Sequence, residues 1–156
     1  MITTKQEKEL RKLIEVQVRH DSLSNNFQHL DKLTDELYIE QPFLLSLIMS
    51  YRQDQPIEEF QELIRVYMII WEYFRSNSTT NKPVTRDQFE RMERLNLQLF
   101  EDKDHIRKMA PNGILAGIVL DLNTKPFWKN MDAEKRGNIT FDLKSVIDCF
   151  LELAGP

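Results

Sequence analysis

Apolar residues return along this chain at steps of three and four, the spacing that lines side chains up on one stripe of an α-helix. The first helix is predicted from Thr3 or Thr4 to near His20, with Glu7 three residues beyond Thr4 as in a capping box. Leu10, Leu13, Ile14 and Val18 mark its expected buried side. Asp21, Ser22, Ser24 and Asn25 then offer side chains that compete with the helix backbone for hydrogen bonds, so the chain turns there. Leu23, Phe27, Leu30, Leu33 and Leu37 define a second helix reaching about Ile39. Pro42 lacks an amide hydrogen and disfavours helical geometry at Gln41. A break is therefore predicted, with Pro42 opening a third helix through Phe43, Leu44, Leu47, Ile48 and Tyr51 and a kinked continuous helix as the alternative.

After a short polar connection with Asp54 as its expected cap comes the clearest helix. Ile57, Phe60, Ile64, Tyr67, Trp71 and Phe74 form its stripe, widened by Leu63, Met68 and Ile70, which makes it the expected centre of the fold. Residues 76–84 show no periodicity and read as a flexible loop. Thr85 caps the next helix with Gln88 three residues on, and Phe89, Met92, Leu95, Leu99 and Phe100 supply its stripe toward Met109. Pro111, Asn112 and Gly113 give a turn before the apolar run Ile114 to Leu122, read as a buried helix because no second strand-like run could pair with it. Thr124 as cap and Pro126 in the first turn are expected to start a short helix carrying Phe127, Trp128 and Met131. Gly137 is expected to end it or close the loop after it, and the last helix to begin near Thr140. The expected fold is all-α: a single domain over residues 1–156, an irregular bundle of about six to eight helices.

Composition narrows the function classes. A chain of 156 residues with 41% hydrophobic and 29% charged residues can bury a continuous core without metals or disulfides. The net charge is -4 and no basic block forms, which disfavours nucleic acid as the main partner. The best basic stretch, Lys5, Lys8, Arg11 and Lys12, is interleaved with Glu7, Glu9 and Glu15 at spacings suited to ion pairs within the helix. Cys149 is the single cysteine and sits in a helical apolar pattern, the setting of a buried thiol. The polar first ten residues do not read as a signal peptide, and the longest apolar stretch, Tyr67 to Phe74, is broken by Glu72 and too short to span a bilayer. A cytoplasmic location without membrane association is expected.

Residues 132–143 resemble the loop of an EF-hand in Asp132, Glu134, Gly137 and Ile139, which would imply calcium binding. Arg136 places a cation at the fifth ligand position, and Leu143 replaces the bidentate carboxylate. The stretch is read instead as a helix-loop-helix corner, with Gly137 at a positive backbone angle and Thr140 or Asn138 capping the final helix. Asp102 and His105 have the three-residue spacing used by metal sites in helical bundles and are the candidate metal ligands, although one such pair is not a site. No glycine-rich phosphate loop, nucleophile elbow or zinc-ligand set is present, so no catalytic residue and no cofactor is assigned and the reading leans away from an enzyme. Leu95, Leu97 and Leu99 cover more than one helix face and are the candidate interaction residues. The favoured expectation is a non-catalytic protein-protein interaction or self-association module. The alternatives are a metal-binding bundle using Asp102 and His105 and a regulatory protein touching nucleic acid through its first helix.

Overall fold

The computed structural model describes residues 4–77, 82–101 and 113–155. Among them the chain forms eight α-helices, one 3-10 turn and no strand. These are α1 (Thr4–Ser22), α2 (Phe27–Glu40), α3 (Pro42–Ser50), the 3-10 turn (Tyr51–Gln53), α4 (Ile57–Asn77), α5 (Arg86–Glu101), α6 (Gly113–Leu122), α7 (Pro126–Asn130) and α8 (Ala133–Ala154). The all-α bundle read from the periodicity is the observed fold.

Helix α4 lies at the centre. Every residue from Val66 to Phe74 is buried, so the helix is covered on all sides over its second half. Its Trp71 and Tyr67 are among the largest fully buried side chains, and the Phe74 ring stacks on Phe150 of α8 with centroids 4.9 Å apart. Helices α1 and α8 pack against α4, α6 packs against both α1 and α8, and α5 lies chiefly on α8. Two glycines bring α6 close to α1: a Cβ at Gly113 would collide with the backbone carbonyl of Gln6, and one at Gly117 would meet Leu13 and Leu10. Arg65 of α4 ties the helix ends together, reaching Asp21 at 2.8 Å and Asp121 at 2.7 Å. That hydrogen bonding holds the Asp21 carboxyl below its usual range and raises the guanidinium.

Local signals explain most boundaries. Asn26 caps α2 by accepting from the His29 amide at 3.1 Å, and Gln41 stands outside helical geometry ahead of Pro42, so the break is real. Thr85 Oγ1 accepts from the Gln88 amide at 3.1 Å. Several expectations are corrected. Asp54 does not cap α4, whose first turn bonds instead to the Pro56 carbonyl. Lys125, not Thr124, precedes α7, and the Thr124 hydroxyl turns back to Asp121. Ser76 and Asn77 still belong to α4, while residues 78–81 of the expected loop and the stretch 102–109 of the fifth helix lie outside the described residues.

The largest correction concerns residues 132–143. Asp132 is the N-cap of α8, accepting from the Glu134 amide, and the helix runs unbroken through Gly137 and Thr140. Gly137 is therefore neither a stop nor at a positive angle; Gly155, past the end of α8, is the one glycine with positive φ among the described residues. A continuous helix points the side chains of an EF-hand-like pattern to different sides, so no ion loop exists here. The Thr140 hydroxyl bonds the Arg136 carbonyl within the helix rather than capping it.

Candidate interaction face

The outward side of α2 carries large apolar side chains in solvent. Phe27 is 81% exposed, Tyr38 66% and Ile39 76%. Phe27 and Tyr38 are about three turns apart, so they stand on nearly one line of the helix, roughly 16 Å from end to end. Asp31 and Thr34 lie between them, also exposed, while Leu33 and Leu37 face the core. Phe27 was expected in the buried stripe. The core takes the narrower arc of Leu33 and Leu37 because α2 packs mainly along α3. Helix α1 shows a related surplus: Leu13 is buried as expected, but Ile14 and Val18 are exposed, against expectation, and Val16 and His20 are buried in their place. The glycine contacts of α6 at Leu13 and Leu10 set this rotation.

Between α1, α2 and the end of α4 lies a cleft of about 340 Å³, lined by Arg19, His29, Lys32, Glu36, Glu72 and Arg75 among others. Its charges are largely matched within the fold. Arg75 reaches Glu36 at 2.6 Å and Glu40 at 3.0 Å, and its guanidinium lies 4.8 Å from the Trp71 ring centre. Glu72 accepts from the ring nitrogen Nδ1 of buried His20 at 2.8 Å. The pair holds α1 to α4 and leaves the floor of the cleft polar.

A second polar group is built where α4, α5, α8 and the 3-10 turn meet. Tyr51 donates to Asp142 Oδ2 at 2.6 Å, the Tyr51 and Tyr67 hydroxyls are 2.8 Å apart, and Glu93 of α5 lies close enough to feel the Asp142 charge. Burial, then the neighbouring Asp142 charge, pushes Glu93 up to about 7; burial also raises Asp142 and both phenols. The sequence offered no sign of this group, because its members come from four separate elements.

The residues singled out from sequence fall as follows. Leu95 and Leu97 are exposed on α5, about 160° apart around the helix, on either edge of the buried face formed by Phe89, Met92 and Asn96. The side chain of Leu99 lies outside the described residues, as do Asp102 and His105 altogether. Cys149 is fully buried, and burial pushes its thiol up to about 12, which makes it a poor nucleophile. Among the described residues no three His, Cys, Asp or Glu side chains gather as a metal set, and no helix is long and apolar enough to cross a membrane. No protein-family model, curated protein or solved structure matches the chain.

Proposed function

We propose that this chain is a protein-protein interaction module that docks a partner's apolar surface, or a second copy, on the outward face of α2. The observation that carries this reading is the line from Phe27 to Tyr38, with Ile39 beside it, held in water on a helix whose other side is anchored in the core. Exposed aromatic side chains are costly to leave in water and are the residues that anchor interfaces when buried. Scattered single apolars need no explanation, but three large ones on one helix make a candidate patch. Ile14 and Val18 on α1 add to the exposed apolar surface. Helix α5, with Leu95 and Leu97 on opposite edges, presents a less continuous surface.

The test compares the intact chain with the double substitution Phe27→Asp and Tyr38→Asp, each immobilised and offered cell extract and the purified free chain. The reading expects a bound species, a distinct protein or the chain itself, that the substituted form fails to hold. Identical bound species on both forms would overturn it.

A further inference from the structure

We infer that the cleft between α1, α2 and the end of α4 binds the oxyanion group, phosphoryl or carboxylate, of a small molecule through Arg19, His29 and Lys32. Three helices present side chains to this space of about 340 Å³, which is at the lower end of the range for small-molecule pockets. On α2, His29, Lys32 and Glu36 follow at steps of three and four, so they share the flank beside the buried Leu33 and lie apart from the outward line of Phe27 and Tyr38. On α4, Glu72, Arg75 and Ser76 lie within one turn of each other on one face. Arg19 comes from the last turn of α1.

Among the described residues the acids of the cleft are already paired and the donors are in excess. Glu36 and its neighbour Glu40 both hold the Arg75 guanidinium, at 2.6 and 3.0 Å, and Glu72 accepts from His20 Nδ1 at 2.8 Å. Arg19 has no carboxylate partner among these residues. Its side chain makes one hydrogen bond, from Nη2 to the Ser76 hydroxyl at 3.4 Å, beyond the usual length of such a contact, and most of its N–H donors stay uncommitted. Lys32 Nζ is 4.0 Å from Glu36 Oε1, too far for a hydrogen bond, while Arg75 takes the other oxygen of that carboxylate. His29 Nε2 is buried and makes no hydrogen bond, an arrangement that proteins avoid because nothing replaces the water removed from the nitrogen. An oxyanion uses all three groups. It accepts forked N–H bonds from the Arg19 guanidinium, meets the point charge of Lys32 and accepts from His29 when the imidazole carries its proton on Nε2. A cationic ligand finds Glu36 and Glu72 engaged, and an apolar one leaves the His29 nitrogen unsatisfied.

Proton–nitrogen correlation NMR reads imidazole nitrogens directly, and the chain has 3 histidines, of which His29 is assigned by the signal that His29→Gln removes. Inorganic phosphate is added in one series and acetate in another, at fixed pH and at an ionic strength held constant with sodium chloride. The expected result is a saturable shift of the His29 Nε2 resonance, with an apparent dissociation constant that weakens about tenfold in Arg19→Gln. Saturation by phosphate alone assigns a phosphoryl group, and saturation by acetate assigns a carboxylate. Shifts that fail to saturate in both series, or that saturate identically in Arg19→Gln, would overturn the inference. If Arg19→Gln fails to fold by circular dichroism, Lys32→Gln, whose side chain is 77% exposed at the rim, takes its place with the same two readings.

Discussion

The Tyr51 hydroxyl gives its one proton to Asp142 Oδ2 over 2.6 Å, so the Tyr67 hydroxyl, 2.8 Å away, must donate its own to the Tyr51 oxygen. The order of donors is fixed because an ionised carboxylate only accepts. Tyr51→Phe deletes the donor to Asp142 and the acceptor of the buried Tyr67 hydroxyl at once. A stability loss of about 1–3 kcal/mol in urea unfolding is expected. A change within about 0.5 kcal/mol would show that the chain has no stake in this relay.

The same cluster fixes how stability responds to pH. Glu93 is raised in the fold, so the folded chain binds more protons there than the unfolded one between the ordinary value of 4.5 and about 7, and Asp142 is raised in the same direction. The Glu93 contribution is complete below the lower value and is lost as pH rises through the upper. Asp21, hydrogen-bonded by Arg65, is lowered, so its contribution is present above its ordinary range and lost in acid. Melting temperature should therefore peak in mildly acidic solution and fall by a few degrees toward mildly alkaline pH, a fall that Glu93→Gln removes. A melting temperature rising steadily through neutrality would contradict this.

Removing one member of the His20–Glu72 pair should be worse than removing both. Glu72→Ala strands a buried ring nitrogen and is expected to destabilise by about 2–4 kcal/mol, whereas His20→Leu with Glu72→Leu recovers part of the loss. Thermal unfolding of the intact chain and the two variants decides it, and a double substitution at least as damaging as Glu72→Ala would count against a buried coupled pair.

Two glycines should respond in opposite senses to alanine. Gly137 is inside α8 with nothing within 4 Å of its would-be Cβ, so Gly137→Ala should stabilise by about 0.5–1 kcal/mol. Gly113→Ala drives a methyl into the backbone carbonyl of Gln6, which cannot turn aside, and should destabilise by about 1–3 kcal/mol. Destabilisation by Gly137→Ala would favour the broken-helix corner that the sequence suggested.

These contrasts show where sequence reading stopped. The Pro42 break, the Thr85 cap and the central stripe around Trp71 were legible because each depends on local chemistry or on a long repeated period. The α8 start was misplaced because Gly137 disfavours a helix by only about 1 kcal/mol, and the apolar series Ile139, Leu143, Val146, Ile147 and Phe150 outweighs that through burial. Ile14, Val18 and Phe27 were assigned to the core because periodicity names a stripe but not which part of a wide stripe a neighbour covers. On α1 that choice is made by glycines more than ninety residues away in sequence. The Glu93–Asp142 pair was invisible for the same reason, its members being brought together only by the docking of α5 on α8.

Covalent footprinting of exposed side chains locates the docking face on the molecule. Phe27, Tyr38 and Ile39 are labelled by hydroxyl radicals in the dilute chain, and again in the complex with whatever protein it holds, or at high concentration if it holds itself. Strong labelling is expected when dilute and marked protection at all three once bound, with Leu95 and Leu97 unchanged. Binding that leaves Phe27 and Tyr38 as reactive as before would place the interface elsewhere and contradict docking on α2.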